Sequence, residues 1–312
     1  MRRGALALCA ALALCPRPVE CQLRTEKLAD GVFAILQPFD NRFNDSNAVL
    51  IVGAAEAMVI DSQADADSAR AVLAEVRAIT DTPVRYVVAT HWHGDHFQGN
   101  EAYRDAYAGV EFVAHETAAA EMRTRATTLR DEDVARLRKA RPDVAERLAK
   151  VQFVFPTMTV GGSTTWHLGG REVRVLHFRG HTAGDLVIHL PAERILVTGD
   201  LVDDMPYLGH GFPADYLKTL DALDALEWDT MVPGHGQVRR GRDHLHALKT
   251  AFNAIYAEVR QAVRDGLSLD DTRARVDLSR YKARLTYGDP RAGRAFDAFM
   301  AAAIGRMYEE LR

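Results

Sequence analysis

Three histidines and an aspartate fall within six residues of the stretch THWHGDHFQGN, which runs from Thr90 to Asn100. The stretch follows directly after the apolar run VRYVVA, so it begins where a predicted β-strand ends. Imidazole and carboxylate groups at this density are typical of a metal site. A His-rich surface loop is the alternative, and the rest of the chain decides between the two.

Three further segments repeat this arrangement, in which a ligand-type side chain follows an apolar strand and stands at a Gly-containing turn. GHTAGD places His181 after REVRVLHF, VTGD places Asp200 after RILV, and PGHG places His235 after WDTMV. Strand ends that share one edge of a sheet bring such loops together. The four segments supply seven candidate metal ligands: His91, His93, Asp95, His96, His181, Asp200 and His235.

This donor set suits Zn²⁺, which binds nitrogen and oxygen ligands in near-tetrahedral sites. One ion cannot use seven ligands, whereas two ions that share a carboxylate can. We therefore expect two zinc ions per chain, with iron and manganese as alternatives. Asp200 is the predicted bridge. The first ion is assigned to His91, His93 and His181, and the second to Asp95, His96 and His235.

The segments between these motifs predict two rounds of strands followed by helix. The runs GVFAIL, NAVLIV and AMVI precede the helical stretch DADSARAVLAEVRAI, and GVEFVAH is the next strand. Strands return as TTWHL, REVRVLHF, DLVIHL and RILVTG, separated by turns that contain Gly or Pro. This order indicates two packed sheets with helices outside, an αββα sandwich.

Residues 22–240 form the predicted catalytic domain. Helical sequence interrupts this domain once and follows it at the C-terminus. Residues 117–150 are charged, with a thin apolar stripe, and Pro142 divides them into two helices. We expect this insertion to lie over the mouth of the site. Residues 241–312 are predicted to be a helical extension packed on the domain, because their apolar residues recur at steps of three and four.

Residues 1–21 are predicted to be a signal peptide. MRRGALALCAALALC has two arginines and then an apolar run too short to span a bilayer. Cleavage before Gln22 removes all three cysteines, which excludes a thiolate as ligand or nucleophile. The sequence therefore predicts export to the periplasm or beyond. Lipidation at Cys15 is the alternative, disfavoured by the bulky Leu14, and an ordinary N-terminal helix is another.

The composition of the chain limits the kinds of partner that the protein is expected to bind. The 312-residue chain has a formal net charge of −4 and no dense basic tract, so the electrostatic footprint of a nucleic-acid-binding protein is missing. No run has the length of a stable membrane span. The expected partner is a small-molecule acyl substrate.

The order H-x-H-x-D-H followed by a later His, Asp and His resembles the metallo-β-lactamase fold superfamily of metallohydrolases, over about Gly31 to Gly236. The resemblance implies an α+β fold, an αββα sandwich of two mixed β-sheets with a dinuclear site on one edge. It also implies that Asp61, which ends the strand AMVI, supports the metal-binding loop by accepting the outer N–H of a ligand.

The predicted chemistry is hydrolysis of an ester, thioester, lactone or similar acyl bond by a hydroxide bound to both metals. The two ions lower the pKa of water, so a nucleophile exists at neutral pH. Asp95 is the predicted catalytic carboxylate, which orients the hydroxide and carries a proton to the leaving group.

Three other functions stay open. A bridging aspartate resembles the glyoxalase II and lactonase branches, whereas β-lactamases of the superfamily usually have a cysteine or a serine at the place of Asp200. Hydrolysis of β-lactam antibiotics remains the alternative, because these drugs act in the periplasm. An iron-dependent persulfide dioxygenase-like oxidoreductase would keep much of the motif and bind one iron. A metal-binding module without catalysis would lack an open pocket.

Two loops carry the predicted substrate contacts. QPFDNRFNDS contains Phe39 and Phe43, and VDDMPYLGHGF, just after Asp200, contains Tyr207 and His210. Aromatic side chains in such loops are suited to apolar contact with a ligand.

Overall fold

The computed structural model describes residues 22–38, 41 and 44–312, without the side chain of Arg291. The predicted signal peptide, Phe39 and Phe43 therefore lie outside the described residues. In the described part of the chain, no helix is both long and apolar enough to cross a membrane.

One sheet contains seven strands, and it is mixed. The strands follow one another in chain order: β1 (Arg24–Ala29), β2 (Val32–Leu36), β3 (Ala48–Val52), β4 (Ala57–Ile60), β5 (Val84–Val88), β6 (Glu111–His115) and β7 (Met158–Val160). Pairing is antiparallel from β1 to β4 and parallel from β4 to β7. The sequence did not predict β1, because RTEKLA is a polar, mostly exposed edge strand without an apolar run.

The other sheet contains six strands, and it is mixed as well. Their spatial order is β13 (Arg239–Arg240), β12 (Thr230–Pro233), β11 (Ile195–Gly199), β10 (Asp185–Leu190), β9 (Arg171–Phe178) and β8 (Thr164–Leu168). Since β9 and β11 both run antiparallel to β10, and β12 runs parallel to β11, the carboxyl ends of β9, β11 and β12 meet at one edge.

Helices cover the outer faces. They are α1 (Ala66–Ile79), α2 (Gly94–Phe97), α3 (Asn100–Ala106), α4 (Glu116–Leu137), α5 (Pro142–Ala149), α6 (Pro213–Ala225), α7 (Asp243–Arg264), α8 (Leu269–Arg275), α9 (Ser279–Thr286) and α10 (Pro290–Leu311). A short 3₁₀ helix spans Asp200–Val202. Pro142 occupies the first turn of α5, where its missing N–H costs nothing, and the preceding helix α4 has already ended at Leu137.

The core has three layers, which follow from alternation along buried strands. In β10, Leu186 and Ile188 pack between the sheets, whereas Val187 faces the helices. The outer face of the seven-stranded sheet is covered by α1 and α3, through residues such as Val72 and Tyr103. The other sheet is covered by α6, α7 and α10. The predicted αββα sandwich is therefore confirmed.

Candidate metal centre

All seven predicted ligands lie at the edge of the sheets where strands end. Their positions are His91 and His93 after β5, Asp95 and His96 in α2, His181 after β9, Asp200 after β11, and His235 after β12. They form two neighbouring groups. The three-histidine group is His91, His93 and His181, and the carboxylate group is Asp95, His96 and His235.

In the three-histidine group, one nitrogen of each ring points at a common centre. His93 Nδ1 lies 3.0 Å from His91 Nε2 and 2.9 Å from His181 Nε2, and the latter two atoms are 3.2 Å apart. His91 and His181 are buried. Three imidazole nitrogens this close cannot all be protonated, so their lone pairs are available to a cation.

The ligand atoms of the carboxylate group also lie close together, but one of them is a carboxylate oxygen. Asp95 Oδ2 lies 3.0 Å from His235 Nε2 and 3.5 Å from His96 Nε2. His96 is fully buried, whereas Asp95 retains about a quarter of its side-chain exposure. The carboxylate is therefore more accessible to a substrate or a water molecule than either imidazole of this group.

Asp200 lies between the two groups. Its Oδ1 is 3.2 Å from His96 Nε2, and its Oδ2 is 3.5 Å from His181 Nε2 and 3.6 Å from His235 Nε2. The space for this carboxylate depends on Gly234, since a Cβ at that position would come within 2.1 Å of Asp200 Oδ1. Asp200 thus presents its two carboxylate oxygens to both groups.

The outer nitrogens of these imidazoles are held by the protein. Asp61 Oδ2 accepts from His96 Nδ1 at 2.8 Å and from the Thr90 hydroxyl at 3.0 Å. The Thr90 hydroxyl in turn lies 3.1 Å from His91 Nδ1, which can donate to it. Asp61 therefore reaches the carboxylate group directly and the three-histidine group through Thr90. Such contacts fix the ring orientation and raise the basicity of the inner nitrogen.

The remaining rings of the three-histidine group are held by the loop after β11. His181 Nδ1 donates to the Tyr207 carbonyl at 2.7 Å. His93 Nε2 lies 2.9 Å from His210 Nδ1, and it is the donor in the tautomer that leaves His93 Nδ1 free. His210 is thus placed against a ligand, although it also lines the cavity described below.

Two buried polar atoms of the site have the partner requirement that a metal ion would satisfy. His96 Nε2 and Asp200 Oδ1 are buried, and neither makes a hydrogen bond with the described residues, although they face each other. Buried polar atoms in native proteins almost always have a partner. A cation between these two atoms would satisfy both.

The charge distribution differs between the groups. Burial and neighbouring imidazoles lower the pKa of His91 and of His93 well below the ordinary value. Burial opposes protonation of His235 too, but the Asp200 and Asp95 carboxylates raise its pKa to about 10. A proton there occupies the place of a cation, so the carboxylate group attracts positive charge strongly.

Sequence reasoning missed two buried aspartates. Asp203 Oδ1 accepts the His235 backbone N–H at 2.9 Å, and a carboxylate oxygen of Asp203 lies within 4.8 Å of ligand-type atoms of Asp200 and His235. Its signal was the spacing in GDLVDD, since a 3₁₀ turn aligns residues three apart. Asp45 accepts the Ala64 N–H at 2.9 Å and so holds the loop after Asp61. Nothing in the sequence around Asp45 distinguished it.

A cavity of about 560 Å³ opens above the centre. It is lined by predicted ligands of both groups, by Asp200, and by Tyr207 and His210. Helices α4 and α5 contribute side chains to the lining, so residues of the 117–150 segment border the site. Apolar side chains provide much of the lining: Leu129, Leu137, Val144, Leu148, Met205, Ala295 and Phe299.

The fold and this site define the class of the protein. Residues 41–235 match the sequence model of the metallo-beta-lactamase superfamily, and the chain belongs to that superfamily.

Curated relatives carry hydrolase names. The linear primary-alkylsulfatase of a Pseudomonas species is 28% identical over 261 residues, which are 73% of this chain and 49% of that protein. The human acyl-coenzyme A thioesterase MBLAC2 is 29% identical over 225 residues, 67% of this chain and 80% of that protein. The chain thus spans about half the length of the alkylsulfatase that it matches.

Solved structures share the fold. The stereoselective inverting sec-alkylsulfatase Pisa1 from Pseudomonas superposes with a TM-score of 0.71 at 16% identity, covering 92% of this chain and 50% of that one. A metallo-beta-lactamase from Pontibacter korlensis gives a TM-score of 0.56 at 22% identity, covering 74% of this chain and 99% of that one.

Proposed function

We propose that the protein is a dinuclear zinc hydrolase of acyl bonds, with thioesters and esters as its main substrates and lactones as related ones. The observation that carries the proposal is the position of Asp200. Its two carboxylate oxygens face both ligand groups at the base of a cavity with apolar walls. A shared carboxylate suits two ions held close together, and the cavity suits an apolar acyl group.

Two zinc ions at this place would supply a nucleophile from water at neutral pH and would polarise the carbonyl oxygen. The protein's own contribution is to position the reacting groups. Burial disfavours the charged form of Asp95, but His96 and His235 lower its pKa to about 2. Asp95 is therefore an anion at neutral pH that accepts a proton from water and passes it to the leaving group.

The relatives support an acyl bond. Acyl-coenzyme A thioesterases of human and cattle are each 29% identical to the chain and are covered over 80% of their length. A hydroxyacylglutathione hydrolase of Brucella ovis is 28% identical over 46% of the chain. The metallo-beta-lactamase named above supports the fold alone, at 22% identity. Thioester hydrolysis is accordingly our first choice, and β-lactam hydrolysis is the alternative.

Sulfate ester hydrolysis is a second candidate, because the alkylsulfatase matches 73% of the chain. The same ions could polarise a sulfuryl oxygen, and the same cavity could hold an alkyl chain. The bond that is cleaved distinguishes the two functions.

A substrate panel tests these alternatives. Zinc-loaded protein is assayed with p-nitrophenyl esters, acyl thioesters, a lactone, a cephalosporin and an alkyl sulfate. We expect thioester and ester turnover that chelation abolishes and zinc restores. Asp95→Asn should lower turnover by about 10²–10⁴-fold. Turnover of the sulfate or the cephalosporin alone would reject ester and thioester hydrolysis, and oxygen uptake with a persulfide in the iron-loaded protein would favour the oxygenase.

The metal content is a separate measurement. Elemental analysis of the purified protein should approach two zinc ions per chain, because the ligands divide into two groups. A content that remains at one under excess zinc would reject the dinuclear site.

We also propose export, from the Arg-Arg and apolar pattern of residues 1–21. Mass spectrometry of protein from the native host should find a periplasmic or secreted form that starts near Gln22. An intact chain from Met1 in the cytoplasm would contradict this.

A further inference from the structure

The C-terminal helix α10 contributes two residues to the cavity above the metal centre. Ala295 and Phe299 line it and are both partly exposed. They are four residues apart and therefore lie on one face of the helix. Residues at the end of the chain, far from any ligand in sequence, thus form part of the wall.

The helix holds these two side chains in fixed positions. Phe296, Met300 and Ile304 on the adjacent face of α10 are buried in the core beside the six-stranded sheet. A helix anchored by such a stripe cannot retreat when a ligand enters. The depth of the cavity at Ala295 and Phe299 is consequently set by the sizes of these side chains.

The wall is continuous with the metal centre. The ring of Phe299 lies 5.3 Å from that of Tyr207, centroid to centroid. The ring of Tyr207 lies 6.4 Å from that of His93 and 6.5 Å from that of His181. A group attached to a carbonyl at the metals therefore meets Tyr207 first and Phe299 beyond it.

The insertion provides a second wall. Leu129 and Leu137 of α4, with Val144 and Leu148 of α5, line the cavity with apolar surface. Arg136 also lines it, but two thirds of its side chain is exposed, so it marks the rim. A polar head group belongs at this rim, and an apolar chain belongs between the walls.

We propose that the substrate carries an unbranched apolar acyl chain that lies between these walls, and that Ala295 and Phe299 set the length of chain that is accepted. The inference rests on the proposed acyl hydrolase function and adds its substrate class and specificity residues. A cavity of about 560 Å³ is within the range that encloses most of a bound small molecule. Each methylene buried should raise kcat/KM about fourfold until the chain reaches α10.

The test compares acyl-chain profiles. kcat/KM is measured for p-nitrophenyl esters and acyl thioesters of increasing even chain length, from acetyl upward, on the zinc-loaded protein. Ala295→Phe should move the optimum to shorter chains and lower the ratio of kcat/KM for the parent's best substrate to kcat/KM for the acetyl ester at least about tenfold. Phe299→Ala should move the optimum to longer chains, and Phe299→Leu gives a milder change if the alanine variant is unstable.

Ala298→Phe is the matched control, because Ala298 is exposed on the same helix and the substitution is identical. It should leave the profile unchanged. An unchanged profile in both Ala295→Phe and Phe299→Ala, or an equal change in Ala298→Phe, would overturn the proposal.

A binding measurement separates this proposal from the acyl hydrolase function. Calorimetric titration with saturated fatty acids of graded length reports on the cavity without turnover. If the parent cleaves no ester or thioester, the proposed function fails, but loss of long-chain binding in Ala295→Phe would still locate an alkyl chain against α10. Fatty-acid binding that is the same in Ala295→Phe and the parent would exclude the chain from α10.

Discussion

The three-histidine group and the carboxylate group lie side by side, but different surroundings hold them. Neutral acceptors orient the rings of the three-histidine group. They are the Tyr207 carbonyl for His181, His210 for His93 and the Thr90 hydroxyl for His91. Carboxylates surround the second. Asp61 accepts from His96, Asp203 accepts from the His235 backbone, and Asp95 is itself a predicted ligand.

This difference has a consequence for metal binding. The pKa of His181, like those of its partners, is lowered by burial, whereas the nearby carboxylates raise the pKa of His96 despite burial. The three-histidine group presents lone pairs with little negative charge, and the carboxylate group presents an excess of it. We expect the carboxylate group to bind its ion more tightly, so that a limited supply of zinc fills this group first.

The largest effect on metal binding is expected from Asp200→Asn, because Asp200 is common to both groups. The substitution keeps the shape of the side chain and removes its charge. Zinc occupancy should fall in both groups, and turnover should fall by more than the roughly 10–100-fold typical of changes outside the ligand set. Elemental analysis and ester turnover measure this. A variant with two zinc ions and near-parental turnover would show that Asp200 does not bridge.

Asp61→Asn should have the next largest effect, concentrated in the carboxylate group. The amide can still accept from His96 Nδ1, but the charge that raises the basicity of the ring is lost. Zinc affinity should fall by about 10–100-fold. Competition with a chromophoric chelator resolves the two dissociation constants. Asp67→Asn is a control at an exposed, nearby carboxylate and should change neither constant.

His210→Phe should weaken only the three-histidine group, and by about tenfold or less, because a neutral partner of His93 is removed. Phenylalanine retains the ring contacts that His210 makes with Trp92 and Tyr207. The same chelator competition applies. Tyr207→Phe is the control, since His181 is held by the backbone carbonyl of Tyr207. A larger loss than in Asp61→Asn would refute the ranking of the two groups.

The smallest effect on the metals is expected from Asp45→Asn, which should change stability instead. Burial raises the pKa of Asp45 from 3.8 to about 7. Its neutral form is favoured in the folded protein, so its contribution to stability is complete below about pH 4 and is lost as the pH rises to 7.

The asparagine variant cannot ionise and should become more stable relative to the parent over this interval, by at most about 4 kcal/mol. Urea unfolding of metal-free protein between pH 4.5 and 8 measures the difference. A constant difference across that range would show that Asp45 does not titrate there.

Local patterns were sufficient for the fold and for the candidate ligands. Short apolar runs located most strands, and ligand-type residues after those runs located the centre. Pro142 marked the break between α4 and α5 for the same local reason, since a proline ends one helix and starts the next. Helix α6 was not predicted, although Pro213 stands at its first turn.

Partnerships between distant segments required the tertiary structure. The sequence offered His210 as a substrate contact, but only the folded loop places it against His93, 117 residues earlier. The sequence predicted that residues 241–312 pack on the domain, but not that Phe299 faces the cavity.

The sequence by itself determined which residue types stand at the strand ends, and with them the metal chemistry. Only the tertiary structure decided which side chains orient those ligands and which bound the cavity. The physical reason is the distance along the chain over which each kind of interaction acts. Periodicity and turn residues act over a few positions, whereas the packing of α10 against the six-stranded sheet and of Asp203 against His235 depends on contacts between segments that are far apart in the chain.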